Sequence, residues 1–337
     1  MLARSLLLVL SISTTLTAVA QSDVTGQTNQ PTSNPNFSEL QNVYGNNISP
    51  IDVFTELSEI NERLTYMMAQ MGIKPDQEDI LSISNASPRE IYYQAIHLVK
   101  MSNRLSNDYL NKTISFPSYP RGGITSSNIF TLVNLSLGII KQVQDKLKIK
   151  NEPQALTDQN IVTPSNIFNT LLNTTVKMSN ILKYRTNPTD TYAQLQESIT
   201  YTAALLQTFP NSNPSPTSIE VNSVKYPLDV FNQLVNCYNL VKAIGAASGI
   251  KMLDMNINVP NVKNVDINEV DQLSYIILSE IAYLYEIKTG LTPNVEKENL
   301  IPKFHSDLFQ QGVSLQAQLQ ELLAYVKSDP DWLDKHN

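Results

Sequence analysis

Side chains able to do chemistry are few in this chain, and they are scattered. Histidine occurs three times, as His97, His305 and His336. His97 lies in Tyr92-Tyr-Gln-Ala-Ile-His-Leu-Val-Lys100, one helical turn from both Tyr93 and Met101. A metal ligand wants a second His, Asp or Glu three or four positions away, and Gln94 and Met101 are poor substitutes. His97 therefore reads as a polar position on a helix flank. His305 falls at a helix start and His336 close to the last residue. Neither His-Glu-x-x-His nor Cys-x-x-Cys-His occurs, so the pattern calls for no metal and no cofactor. Met67, Met68 and Met71 stand together, as do Met252 and Met255. Thioethers in such groups suit Cu(I), but methionine also fills irregular gaps between helices, and that reading is preferred.

Nucleophilic catalysis finds no pattern to rest on. There is no Gly-x-Ser-x-Gly, and ten glycines in 337 residues leave no Gly-rich phosphate loop. Cys237 is the only cysteine, so an intramolecular disulfide is excluded and a packed core must hold the fold. It sits in Gln233-Leu-Val-Asn-Cys-Tyr-Asn-Leu240 and reads as a small buried apolar side chain. Carboxylates are plentiful but fall mostly at helix starts. Glu56, Glu59 and Arg63 share one helix face and read as a solvated ion-pair surface. Lys and Arg number 24 against 31 Asp and Glu, a net charge of −7 with no basic run. Nucleic acid and anionic membrane are thus poor partners.

The chain that must position these groups begins with an export signal. Met1–Arg4 is basic, Leu6–Leu10 is apolar, and Thr17-Ala-Val-Ala20 ends in small residues that place cleavage near Ala20–Gln21. The apolar stretch is too short to span a bilayer, which takes about 20 such residues. Residues 1–20 are thus expected as a signal peptide. Residues 21–45, rich in Asn, Gln, Ser, Thr and Pro, read as a flexible tether. The mature protein is expected in the periplasm or outside the cell. Six Asn-x-Ser/Thr sequons, at Asn36, Asn47, Asn85, Asn111, Asn134 and Asn173, read as incidental in so Asn-rich a sequence.

Beyond the tether one pattern recurs: a cap residue, Pro, any residue, an acid or amide, a β-branched residue and an aromatic. Ser49-Pro-Ile-Asp-Val-Phe54 and Ser87-Pro-Arg-Glu-Ile-Tyr92 are the clearest copies. Thr125–Phe130, Thr163–Phe168, Asn187–Tyr192 and Tyr226–Phe231 follow, with a weaker copy ending at Phe309. The cap residue and the acid satisfy amides of the first turn, and Pro arrives with its φ already set. Three residues after the aromatic come Leu57, Ala95, Val133, Leu171, Leu195 and Leu234, as a helical face demands.

The aromatics stand at 54, 92, 130, 168, 192, 231 and 309, in steps of 38, 38, 38, 24, 39 and 78. A further capped start at Asp266-Ile-Asn-Glu269 fills the double step. The spacing predicts helices over 50–71, 87–106, 125–148, 164–184, 188–208, 227–248, 266–288 and 304–327. The fold class is all-α: about eight helices from a 38–39-residue repeat. Two tandem four-helix-bundle-like units, 46–185 and 186–337, joined by long links, are the favoured arrangement. A single helical-repeat array is the alternative. A helix of about 22 residues is roughly 33 Å long, and fifteen extended residues reach roughly 50 Å. Each link can therefore return the chain to the end where the last helix began, and neighbouring helices can run parallel.

Tyr119, Tyr226 and Trp332 lie in links or near the end, where rings often touch partners. With no reactive constellation in view, the leading function is a non-enzymatic binding or scaffolding protein that holds a protein or envelope component. A helical bundle holding a small molecule, as sensors do, is the alternative, and an all-α enzyme without a recognisable motif is third.

Overall fold

The computed structural model describes residues 48–74, 81–117, 119–120, 123–150, 162–182, 188–214, 223–258, 262–263, 265–291, 302–329 and 331–334. The signal peptide, the tether and His336 lie outside them. The described residues form eight helices: α1 (Pro50–Gln70), α2 (Pro88–Leu110), α3 (Ser126–Leu147), α4 (Pro164–Leu182), α5 (Pro188–Leu206), α6 (Pro227–Ala247), α7 (Ile267–Thr289) and α8 (His305–Ser328). No described helix is long and apolar enough to cross a membrane.

The repeated motif starts these helices as its chemistry demands. The backbone N–H of each cap residue donates to the acid or amide three positions on. This occurs at Ser49–Asp52, Ser87–Glu90, Thr125–Asn128 and Thr163–Asn166, and again at Tyr226–Asp229, Asp266–Glu269 and Phe304–Asp307. All seven bonds are 2.7–2.9 Å long. Tyr226 and Phe304 bring no hydroxyl or carboxylate of their own to the first turn. There the acid does the capping alone. At the other end of α7, Gly290 terminates the helix at φ 67°, a conformation that costs glycine nothing. Leu57, Ala95, Val133, Leu171, Leu195 and Leu234 are all completely buried. Each buried leucine among them contributes about 1.5–3 kcal/mol.

Packing follows one scheme twice. In α1–α4, the first and second helices each pack against the third and the fourth; in α5–α8 the same holds. Direction can be read from side-chain bonds. Glu59 and Arg63 of α1 meet Lys141 and Gln144 of α3 in the same order, so these helices are parallel. The start of α2 lies beside the start of α4, where Ala86 N–H donates to Ser165 Oγ at 3.2 Å. Thr191, Gln194 and Tyr201 of α5 meet Asp271, Ser274 and Tyr285 of α7 in order. Thr189 and Tyr192 pair with Lys303 and Gln311, which makes α5 parallel to α8. Between α6 and α8, Lys225 faces Ser306, Gln233 faces Gly312, and Ser248 faces Trp332.

Helix α7 joins the two sets. It packs against α2 and α4 in the opposite direction: His97 meets Asp271 while Arg89 meets Glu280. Ser179 likewise meets Asn268 while Leu172 meets Gln272. Enclosed from both sides, α7 buries Tyr275, Ile276, Ile277, Leu278 and Ile281, and also Asp271, Gln272 and Glu280.

A small two-stranded ribbon adds to the helical expectation. Strand β1 (Leu81–Ser84) pairs antiparallel with β2 (Asp254–Ile257), with Leu81 opposite Ile257 and Ser84 opposite Asp254. Alternation in Leu-Ser-Ile-Ser puts Leu81 and Ile83 into the core. Side chains occupy the outer edges. The Asn169 amide of α4 accepts from Ile83 N–H and donates to Ile83 C=O, both at 2.8 Å. Tyr238 of α6 donates its hydroxyl to Leu253 C=O at 2.7 Å and accepts from Met255 N–H at 3.0 Å. Edges satisfied in this way offer no template for another chain.

Candidate functional site

Helix α2 presents Arg89, Glu90, Gln94 and His97 inward, toward α7. His97 is 5% exposed, its Nε2 lies 2.8 Å from Asp271 Oδ2, and its ring stacks on Tyr275 at 4.4 Å. The other carboxylate oxygen of Asp271 accepts from Thr191 Oγ1 at 3.0 Å and Gln194 Nε2 at 3.1 Å. Burial opposes ionisation of Asp271. The His97 charge and the bonds from His97, Thr191 and Gln194 outweigh it and hold the carboxyl below its usual value. His97 is therefore an internal group and not the helix-flank residue its neighbours suggested. The partner that draws it in lies on a helix remote in the chain.

Two turns up α7 lies a second ionic cluster, its two carboxylates fully buried and its arginine partly exposed. Arg89 Nε lies 2.8 Å from Glu90 Oε1, and Arg89 Nη2 lies 3.0 Å from Glu280 Oε2. Glu90 also caps its own helix by accepting from Ser87 N–H. Glu280 accepts from Leu253 N–H at 3.2 Å. One guanidinium serves two buried carboxylates, so a charge is left over if both ionise. Burial first, and Glu90 second, push Glu280 up to about 8 despite Arg89. The Tyr283 ring closes the cluster, lying 3.9 Å from Arg89 Cζ.

These groups are the machinery of acid–base chemistry, held inside the packed helices; His97 Nδ1 and both polar atoms of the Gln94 amide are buried there without a hydrogen-bond partner among the described residues. Among the described residues no three His, Cys, Asp or Glu side chains gather as a metal site. Met67 and Met68 belong to the core, and Met252 packs against Gly245. Cys237 is completely buried, and its thiol donates to Gly312 C=O at 3.4 Å. The Glu59–Arg63 pair is not a solvated surface. Because α3 lies alongside, Lys141 and Gln144 close over it at 2.9 and 2.7 Å.

The three aromatic contact candidates have different fates. Tyr119 packs edge-on to Tyr92 and donates its hydroxyl to Glu286 at 3.1 Å. Trp332 is 1% exposed; its Nε1 donates to Ser248 Oγ at 2.8 Å, and its C=O accepts from Lys288 Nζ at 2.7 Å. Both rings anchor links to the helices. Tyr226 alone points outward, 67% exposed.

It does not stand alone. Val224 is 77% and Phe304 73% exposed. Their segments are tied together by Lys225 N–H donating to Ser306 Oγ at 3.2 Å, and by Ser306 Oγ donating to Ser223 C=O at 3.4 Å. Three large apolar side chains therefore share the end where α6 and α8 begin. Around them, Lys225 lies over the Phe309 ring at 4.3 Å and Lys303 over the Tyr192 ring at 4.4 Å. Sequence reasoning missed Val224 and Phe304. A ring at a cap position, where Ser, Thr or Asn would serve the helix better, is the signal that could have found Phe304.

Comparison with protein-family models, with curated proteins and with solved structures finds no match to this chain.

Proposed function

We propose that this chain is an exported, non-enzymatic binding protein that docks a protein partner on the Val224, Tyr226 and Phe304 cluster. The observation that carries the reading is the exposure of these three side chains at the end where α6 and α8 begin. Helix capping does not need Tyr226 or Phe304, since Asp229 and Asp307 do that work. Leaving such rings in water forgoes the stabilisation that burial would give, and a partner supplies that burial. The composition suits a protein interface: an aromatic and aliphatic centre rimmed by lysines and by the capping acids. Enclosure of the His97 and Arg89 clusters supports a non-enzymatic role. Export rests on the basic start and apolar run of the first twenty residues.

The test places a photo-crosslinking amino acid at position 226, and separately at the half-buried position 119, of the protein expressed in its own cell. The expected result is one defined adduct from 226, none from 119, and loss of the 226 adduct when Phe304 and Val224 are changed to Ser. Adducts that are absent, or that survive those substitutions unchanged, would overturn the proposal.

A further inference from the structure

The joint between the two sets of helices is made from one side only. Helix α7, the third of its set, is seated on the second and fourth helices of the other set and runs opposite to them. The reciprocal joint would seat α3, the third helix of the first set, on α6 and α8. Among the described residues the chain does not make it: α3 packs against α1 and α2, and α6 and α8 pack within their own set. Each copy therefore keeps one open seat and one unseated third helix.

The open seat repeats the filled one. Ala86 N–H donates to Ser165 Oγ at 3.2 Å where α2 and α4 begin, and Lys225 N–H donates to Ser306 Oγ at 3.2 Å where α6 and α8 begin. Counted from the caps Ser87 and Tyr226, His97, which faces α7, corresponds to Asn236. Asn236 is exposed, and Asn232 and Asn239 form one exposed row with it along α6. Val224, Tyr226 and Phe304 stand at the end where that row starts.

The unseated helix is shaped for close approach. Counted from the caps Thr125 and Asp266, Gly138 of α3 stands where α7 has the buried Ser279. A Cβ on Gly138 would meet nothing within 4 Å. Glycine inside a helix weakens it relative to alanine, so no contact within the chain accounts for this one. A second backbone drawing near would. Gln142, one turn on, is exposed.

We propose that the open seat on α6 and α8 takes α3 of a second copy, antiparallel, so that copies join head to tail. The inference rests on the docking reading of the Val224, Tyr226 and Phe304 cluster and names its partner. Antiparallel seating brings the later half of α3, with the half-buried Leu147, to that cluster. The two surfaces differ, so the joint builds a ring or a filament and not a symmetric pair.

The test uses the purified full chain. Sedimentation velocity over a concentration series should show species larger than a dimer. A photo-crosslinking amino acid at position 236, in a mixture of isotopically heavy and light chains, should join α6 of one copy to α3 of another. Gly138→Leu obstructs α3, and Asn236→Lys spoils the seat. Each should weaken association at least tenfold without lowering thermal stability. Mixed together, the two variants should form dimers and nothing longer, because each keeps the surface that the other lacks. A chain that stays monomeric at every soluble concentration, crosslinks that map away from α3, or variants that associate like wild type would overturn the proposal. If the purified chain stays monomeric while position 226 captures a different protein in the cell, the docking reading stands and this one falls. If position 226 captures nothing, both fall.

Discussion

His97 Nε2 and Asp271 Oδ2 lie 2.8 Å apart, across the boundary between two sets of helices that share one packing scheme. The pair is enclosed, and each partner keeps the other from being an uncompensated buried group. Asp271→Asn should therefore destabilise the fold by about 3–5 kcal/mol, the usual cost of breaking a buried pair from one side. Its pH dependence has a defined sign. The folded Asp271 carboxyl titrates below its ordinary value. Its contribution is complete above the unfolded-state pKa and is lost as pH falls through the lowered folded value. Urea unfolding at neutral pH and near pH 3 should show the gap between wild type and Asp271→Asn narrowing in acid. Equal stability at neutral pH would sink the idea.

For carboxyls with a raised pKa the sign reverses. Glu280 is pushed up to about 8, chiefly by burial and by Glu90, and Glu269 up to about 8, chiefly by burial and by Asp266. A raised carboxyl stabilises fully below its unfolded pKa and stops doing so as pH rises through the folded value. Melting temperature should fall as pH rises from about 5 to about 8 and level off above that. Glu280→Gln should remove part of the fall, and the Glu269→Gln/Glu280→Gln double variant nearly all of it. A double variant that kept the wild-type slope would show that neither group carries the proton.

Cys237 should be chemically silent. Burial pushes its thiol up to about 12, and the side chain is fully enclosed against α8. A thiol-reactive dye should label the native protein at least roughly 100-fold more slowly than the unfolded chain. Rapid labelling of native protein would mean that the α6–α8 contact opens.

The same contact fixes the response at Gly312. A Cβ on Gly312 would lie 2.8 Å from Gln233 Cγ. Gln233 cannot easily retreat, because its amide is bonded to Gly312 C=O at 3.1 Å and to Gln316 at 2.6 Å. Overpacking of about 1–3 kcal/mol should outweigh the helix-propensity gain of about 1 kcal/mol, so Gly312→Ala should lower the melting temperature. Gly138 in α3 has open space at that position. Gly138→Ala should raise it. Calorimetry of the two variants gives opposite signs if the packing is as described.

How much of this could be read in advance depends on distance along the chain. Helix starts were legible because a cap acts within three residues: Ser49 with Asp52 and Asp266 with Glu269 are local events. The buried stripe was legible for the same reason, through Leu57, Leu171 and Leu234. The His97–Asp271 and Arg89–Glu280 pairs were not, because each joins helices brought together only by the tertiary fold. A trace of them exists, since Asp271 and Glu280 interrupt one of the most apolar runs in the sequence. The β1–β2 ribbon was too short to stand out, and its edges are finished by Asn169 and Tyr238 from other elements. Trp332 reads as a contact residue because it lies near the end of the sequence, where rings often touch partners. The ring is held by Ser248 and Lys288, neither near it in sequence.

Parallel neighbours impose an order on how the chain can acquire its structure. Helix α5 finds its main neighbours in α7 and α8, both later in the sequence. A nascent chain that has emerged only as far as Ala247 carries α5 and α6 without those neighbours, their apolar faces open to water. Loop closure over long spans must come before the contacts that reward it, so folding should be slow for a helical protein. The interval is also when unpaired faces invite aggregation. A chain built this way gains from being kept unfolded until its last helix arrives.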